Sequence, residues 1–221
     1  MRRVACVAAV ALALSLAGCS NAPPQPDWQV QAHGDLARFE TAYLTGAMRA
    51  AQAEFARARS ALAATGEARW VARAELTRCA LQVASLAFEP CVGFEALRQD
   101  APAAERAYAQ YLAGEALAPE QSSLLPAHHR AVAVGAADPA ASLLAIADPL
   151  ARLVAAGVVM RMGRATPQSL QLAADTASQQ GWRRPLLAWL GVQAQRAEQA
   201  GDGQEAQRLR RRMALAGGAR D

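Results

Sequence analysis

The run DLARFETAYLTGAMRAAQAEFARARSALAATG, Asp35–Gly66, decides the fold class. Within it Leu36, Phe39, Tyr43, Leu44, Ala47, Met48, Ala51, Phe55, Ala58 and Leu62 follow in steps of three and four. That spacing lays one apolar stripe along an α-helix, so the pattern predicts a helix from Asp35 to Ala64, ended by Thr65-Gly66. No other stretch shows a sustained alternation of β-branched and polar residues, the signature of half-buried strands. The chain therefore reads as all-α.

Outward from this run, the helix signals continue to the C-terminus. A second helix is expected from Glu67 to Phe88, with Trp70, Val71, Ala74, Leu81 and Leu86 as its apolar positions, and Pro102 opens a third that carries Tyr108, Tyr111 and Leu112. Asp138-Pro139, Asp148-Pro149 and Thr166-Pro167 each set a capping side chain before a proline at the first helical position. Gly181 closes the helix begun at Pro167, Pro185 opens the next and Gly201 follows its last turn. Asp202-Gly203-Gln204-Glu205 has the form of a capping box and starts a last helix toward Met213.

Composition fits a helical body and narrows the partners. Alanine supplies about a quarter of the chain, far above ordinary usage. All 23 basic side chains are arginine, which reads as a coding bias rather than an arginine-specific function. Against 19 acidic residues the formal charge is +4, too small an excess to argue for nucleic acid.

The N-terminus has a different character. Arg2 and Arg3 precede an apolar run, Val4–Leu16, too short to span a bilayer, and Leu16-Ala17-Gly18-Cys19 follows. A basic start, a short apolar core and small residues before a cut make a secretory signal. The cysteine placed after Leu-Ala-Gly resembles the lipobox of bacterial lipoproteins. The resemblance implies cleavage after residue 18, a lipid on Cys19 and an anchor in the membrane, with Ser20 at the next position pointing to the outer membrane. A cleaved soluble periplasmic protein is the alternative. Losing Arg2 and Arg3 would lower the formal charge from +4 to +2. Residues 19–27 hold Pro23, Pro24 and Pro26 and read as an extended tether of roughly 25 Å. Residues 28–221 form the expected single domain.

With Cys6 removed and Cys19 lipidated, Cys79 and Cys91 remain as a pair, and in an oxidising compartment they read as a disulfide. The absence of a CxxC spacing argues against a redox pair. The bridge would fold Glu89-Pro90-Cys91-Val92-Gly93 back along the second helix.

The helical hairpins also resemble tetratricopeptide repeats at two places: Trp189-Leu190-Gly191 with Gly201-Asp202 and Ala206, and Phe55 and Ala58 with Thr65-Gly66 and Trp70. The helix after Gly191 is about one turn longer than in that family, and no period near 34 recurs. A short tetratricopeptide-like solenoid and an irregular helical bundle both remain open. In the solenoid Trp189 packs between helices; Trp182 and Trp189 lie across a helix start and read as core.

Chemical motifs are few. HExxH, GxSxG and a phosphate-binding glycine loop are absent from the sequence, and no cofactor or metal site is expected. His128-His129 is the only histidine cluster, and adjacent residues on a helix point about 100° apart, so the pair reads as exposed or capping near Pro126. Glu89 and Glu95 flank the cysteine loop without an evident acid/base partner. Arg208, Arg210, Arg211 and Arg212 crowd the last helix, as a solvated face or as a contact for anionic headgroups. The expectation is a non-enzymatic outer-membrane lipoprotein whose body binds an envelope protein in assembly or secretion. The alternative is an anchored enzyme acting on envelope polymers such as peptidoglycan.

Overall fold

A computed structural model describes residues 26–218. Among these there are twelve helices and no strand: α1 Asp27–Thr45, α2 Met48–Ala63, α3 Ala68–Ala84, α4 Val92–Glu95, α5 Ala103–Leu112, α6 Pro119–Ser123, α7 Ala127–Ala133, α8 Pro139–Leu144, α9 Pro149–Arg161, α10 Pro167–Gln179, α11 Arg183–Gln199 and α12 Gly203–Gly217. The expected signal sequence, the expected lipid site at Cys19 and most of the expected tether lie outside the described residues. The helical body begins at Asp27, at the end of the expected tether and well before Asp35.

The run that decides the fold class is two helices, not one. Gly46 adopts φ 85°, and Gly46 N–H and Ala47 N–H donate back to Tyr43 and Ala42 carbonyls at 3.1 and 2.8 Å, so the chain reverses there. In one straight helix Phe39 and Phe55 would stand about 24 Å apart along the axis. Folded into a hairpin their ring centroids are 4.9 Å apart. The apolar period runs unbroken through the turn because both faces bury against each other, and only the left-handed glycine marks the break. A ring of charges clips the hairpin: Asp35, 1% exposed, pairs with Arg38 and Arg57, and Glu54 pairs with the same two arginines.

Two helices form the centre. α3 buries Val71, Ala72, Ala74, Leu76, Ala80, Leu81, Val83 and Ala84, and α9 buries an unbroken series from Leu153 to Val159. They cross closely because Gly157 sits against Val83; a Cβ there would fall on the Val83 carbonyl oxygen, with Val83 Cγ1 only 2.7 Å away. The short side chains of the alanine-rich sequence serve such crossings throughout. α1 and α2 pack on one side of α3, and α9–α12 stack in sequence on the other. Capping follows the sequence signals. Asp138, Asp148, Thr166 and Asp202 accept from the backbone N–H three residues on, at 3.1, 2.6, 3.2 and 3.0 Å. Pro185 is the exception: it is the third residue of α11, not its start, a place where its missing N–H costs no helical bond.

The arrangement is a closed helical bundle rather than a one-dimensional array. In a solenoid each repeat touches only its neighbours. Here α9 packs on α3 and α11 on α1, across most of the chain. Trp189 is buried between helices as expected, and its indole N–H donates to the Ala84 carbonyl at 3.0 Å, capping the end of α3. Just beyond, Leu86 takes φ 56° and completes that helix end. Trp182 caps α11 and is half-buried between the two apolar clusters of the core.

Candidate docking groove along the third helix

Cys79 and Cys91 stand at disulfide distance, with Cα atoms 5.9 Å apart. The link holds α4 against α3, where Phe94 is fully buried and Gly93 lies directly over the Glu75 carboxylate. Glu75 is 2% exposed and meets Arg59 at 2.9 Å and Arg78 at 2.6 Å. The cysteine region is thus a structural clasp joining α2, α3 and α4. Its flanking acids are engaged: Glu95 pairs with Arg98 at 2.6 Å, which holds its carboxyl below the usual range, and Glu89 accepts from Gln82 at 3.3 Å.

The histidine pair divides. His128 is exposed, but His129 is 2% exposed, contrary to the expectation that both are surface or capping residues. α7 was not predicted, and it turns the second histidine into the core, where Nδ1 and the Tyr111 hydroxyl are hydrogen bonded at 3.1 Å. Burial, with the neighbouring His128 adding to it, pushes the His129 pKa down to about 3, so the ring is neutral. Tyr108 and Tyr111 stack beside it with centroids 6.0 Å apart, and burial raises both phenols.

Three adjoining hollows lie in line on one side of α3. The first, about 280 Å³, lies between Trp28, His33 and Leu36 of α1, Leu62 of α2 and Trp70 of α3. Trp28 and Trp70 have centroids 5.9 Å apart, and the Arg69 and Arg73 guanidiniums sit 4.9 and 5.8 Å from the Trp70 ring. The second, about 490 Å³, is bounded by Leu76, Thr77, Glu105, Tyr108 and Leu124–Pro126. The third, about 260 Å³, takes in Leu81, Tyr108, His128, Asp148 and Leu150. Arg73 borders the first two hollows, and Thr77, Tyr108 and Pro126 border the second and third. No family model, curated protein or solved structure matches this chain. The groove is therefore read from its own chemistry.

The acids of the groove's lining are few and partnered. Glu105 accepts from Arg73 at 2.8 Å, and Asp148 accepts from Ala151 N–H at 2.6 Å as the cap of α9. Both acids that line the groove are committed to the fold. Glu40 lies close enough to feel Asp148; burial first, then that charge, raises its pKa, but it stands outside the groove lining. Among the described residues no cluster of His, Cys, Asp or Glu could hold a metal, and no helix is long and apolar enough to cross a membrane.

The arginines of α12 are less free than their number suggests. Arg208 pairs with Glu205 at 2.6 Å, lowering that carboxyl's pKa, and Arg210 pairs with Glu198 at 2.5 Å. Arg211 faces solvent, Arg212 is half-buried, and Leu215 nearby is 83% exposed. The groove itself was illegible in sequence: its walls need α1, α2, α5, the segment Leu124–Pro126, α7 and the start of α9 brought against α3. The one available signal was the pair of prolines, Pro119 and Pro126, which begin α6 and cap α7.

Proposed function

We propose that the chain is an outer-membrane lipoprotein, anchored through a lipid on Cys19, whose periplasmic helical body docks a protein partner in envelope assembly or secretion. The groove along α3 carries the reading: it is lined by aromatic and aliphatic side chains, and its two carboxylates are already engaged. Protein interfaces favour this combination of half-buried aromatic side chains, arginine and depleted free charge. Anchoring rests on the Leu16-Ala17-Gly18-Cys19 resemblance and the short proline-rich segment after it. An enzyme acting on envelope polymers would need convergent free carboxylates. Its best pair, Glu40 and Asp148, is divided between a residue off the groove and a helix cap.

The test is photo-crosslinking in native cells from a benzophenone side chain at position 77, followed by identification of the adduct. A stoichiometric envelope protein joined at that site, and lost with Cys19→Ala, supports the reading. Crosslinks to nothing but solvent and lipid remove it. Palmitate labelling of wild type and Cys19→Ala tests the anchor separately, since equal labelling of both ends the lipoprotein assignment. The α12 arginines offer a further contact with anionic headgroups. Loss of sedimentation with anionic vesicles after neutralising Arg208, Arg210, Arg211 and Arg212 supports it, and unchanged sedimentation removes it.

A further inference from the structure

Two of the longer helices start without an acid or a cap. α1, α3, α5, α9, α10 and α12 each carry Asp, Glu or a capping threonine at the first turn or just before it. α2 and α11 have neither a capping side chain nor an acidic residue there, so their first N–H groups lack an acceptor from helix or cap.

The fold brings these two starts together. Arg184, the second residue of α11, donates to the thioether of Met48, the first residue of α2, at 3.1 Å. A Cβ on Gly46, just before α2, would lie 3.1 Å from Arg183 Nη2. Arg49 stands exposed on the first turn of α2. Among the described residues none of Arg49, Arg183 and Arg184 pairs with a carboxylate.

A buried donor lies at the same place. Tyr43 is 4% exposed, with the Arg184 guanidinium 4.5 Å from its ring centroid, and its hydroxyl has no hydrogen-bond partner. Arg184 Nε is buried beside it and has none either. A guanidinium only donates, so the phenol proton and Nε–H share the want of an acceptor. Burial raises the phenol pKa, against the lowering charge of Arg184, and the group stays protonated as a donor. Among the described residues Glu89 is the one carboxylate whose charge acts on the phenol, and it already accepts from Gln82 at 3.3 Å. Two helices also end nearby, but the Ala42 and Tyr43 carbonyls of α1 and the Ala84 carbonyl of α3 already accept, from Ala47, Gly46 and the Trp189 indole. The thioether is a weak acceptor, so Arg184 can turn to an oxyanion and uncover the phenol. Guanidiniums and helix-start N–H groups suit phosphate, whose oxygens accept several charge-assisted hydrogen bonds at once.

We propose that the joined starts of α2 and α11 bind a phosphate group, as the free ion or on a lipid headgroup. Arg49, Arg183, Arg184 and the Tyr43 hydroxyl are its side-chain donors, and the first N–H groups of the two helices are its backbone donors. The site lies about 27 Å along α1 from Trp28, so it is separate from the α3 groove and does not rest on the docking reading.

The first probe is inorganic phosphate, titrated by calorimetry at constant ionic strength into the full chain purified from native cells in phosphatidylcholine nanodiscs, with empty nanodiscs as the blank. Saturable binding is expected. Tyr43→Phe removes only an unpartnered hydroxyl and should keep a native melting temperature while weakening binding about tenfold, the worth of one charge-assisted hydrogen bond. Arg49→Gln with Arg183→Gln should weaken it at least as much. Arg211→Gln with Arg212→Gln, an equal loss of charge on α12, should leave it unchanged, and Glu89→Gln should bind at least as tightly as wild type. Equal weakening by both arginine pairs overturns the site, as does full affinity in Tyr43→Phe or weaker binding in Glu89→Gln. The second probe is flotation of the same nanodiscs with phosphatidic acid vesicles. If the free ion does not bind but vesicles capture the protein, and capture is lost in Tyr43→Phe and in the Arg49 and Arg183 pair alone, the headgroup is the source. Binding in both arms with the same dependence on these variants supports the phosphate group on either carrier. Failure of both probes removes the site.

Discussion

Gly157→Ala should destabilise the protein although it places a better helix former inside a helix. Alanine in place of glycine in an exposed helix interior is worth up to about 1 kcal/mol. At position 157 the new methyl would lie 2.7 Å from Val83 Cγ1 and 2.8 Å from the Val83 carbonyl carbon, where ordinary contact begins near 3.4 Å. The obstacle is backbone of α3, which moves only if the whole α3–α9 crossing opens. Overpacking of this kind typically costs about 1–3 kcal/mol, and the rigid neighbour puts this case at the upper end, so the net loss is about 2 kcal/mol. For a domain of this size that lowers the melting temperature by about 4–8 °C. Gly191→Ala is the matched control: it lies inside α11 and a Cβ there meets only Met213 Cε at 3.8 Å, so the same substitution should raise the melting point by about 1–3 °C. Thermal unfolding followed by far-ultraviolet circular dichroism measures both. If Gly157→Ala melts at or above wild type, the close α3–α9 crossing is wrong.

Three further outcomes follow from named contacts. Reducing the Cys79–Cys91 link, or replacing both cysteines with serine, should cost about 3 kcal/mol, read as a lower urea midpoint that dithiothreitol does not shift further in the double variant. His129 is neutral in the fold with its pKa pushed down to about 3, against roughly 6.5 when unfolded, so the unfolded chain binds more protons between these values. Its contribution is complete above pH 6.5 and falls away as the pH drops toward 3, by up to about 1.4 kcal/mol per pH unit; His129→Gln should flatten that slope in urea midpoints measured across the window. Trp189→Phe keeps most of the buried surface but strands the Ala84 carbonyl, and it should cost about 1–3 kcal/mol, with equal stability to wild type counting against the bond.

The sequence carried the local structure further than the global one. Asp138, Asp148, Thr166 and Asp202 cap where their positions say they do, because a cap is a contact between residues three apart. Cys79 and Cys91 were legible for a different reason, being the two thiols left after the N-terminal segment is set aside. The reversal at Gly46 was missed since the three-and-four-residue step continues through it, and both halves need apolar faces whether or not the chain turns. His129 was misread for want of α7, a seven-residue helix too short to show a period of its own. The sequence left a solenoid and a bundle both open, and the bundle rests on contacts such as α11 on α1, which no local pattern encodes.

By itself the sequence determined that the body is all-α, where most of its longer helices begin, and which two cysteines can meet. It also holds the lipobox-like N-terminus on which the proposed anchoring depends. Tertiary structure alone decided that the helices close into a bundle, that Glu75 and His129 are buried, and that α3 keeps one side open as a groove. The division has a physical cause. Helix periodicity and capping are fixed by hydrogen bonds spanning a few residues, whereas the groove is space left between helices up to about 120 residues apart in sequence, set by how their alanine-rich faces pack.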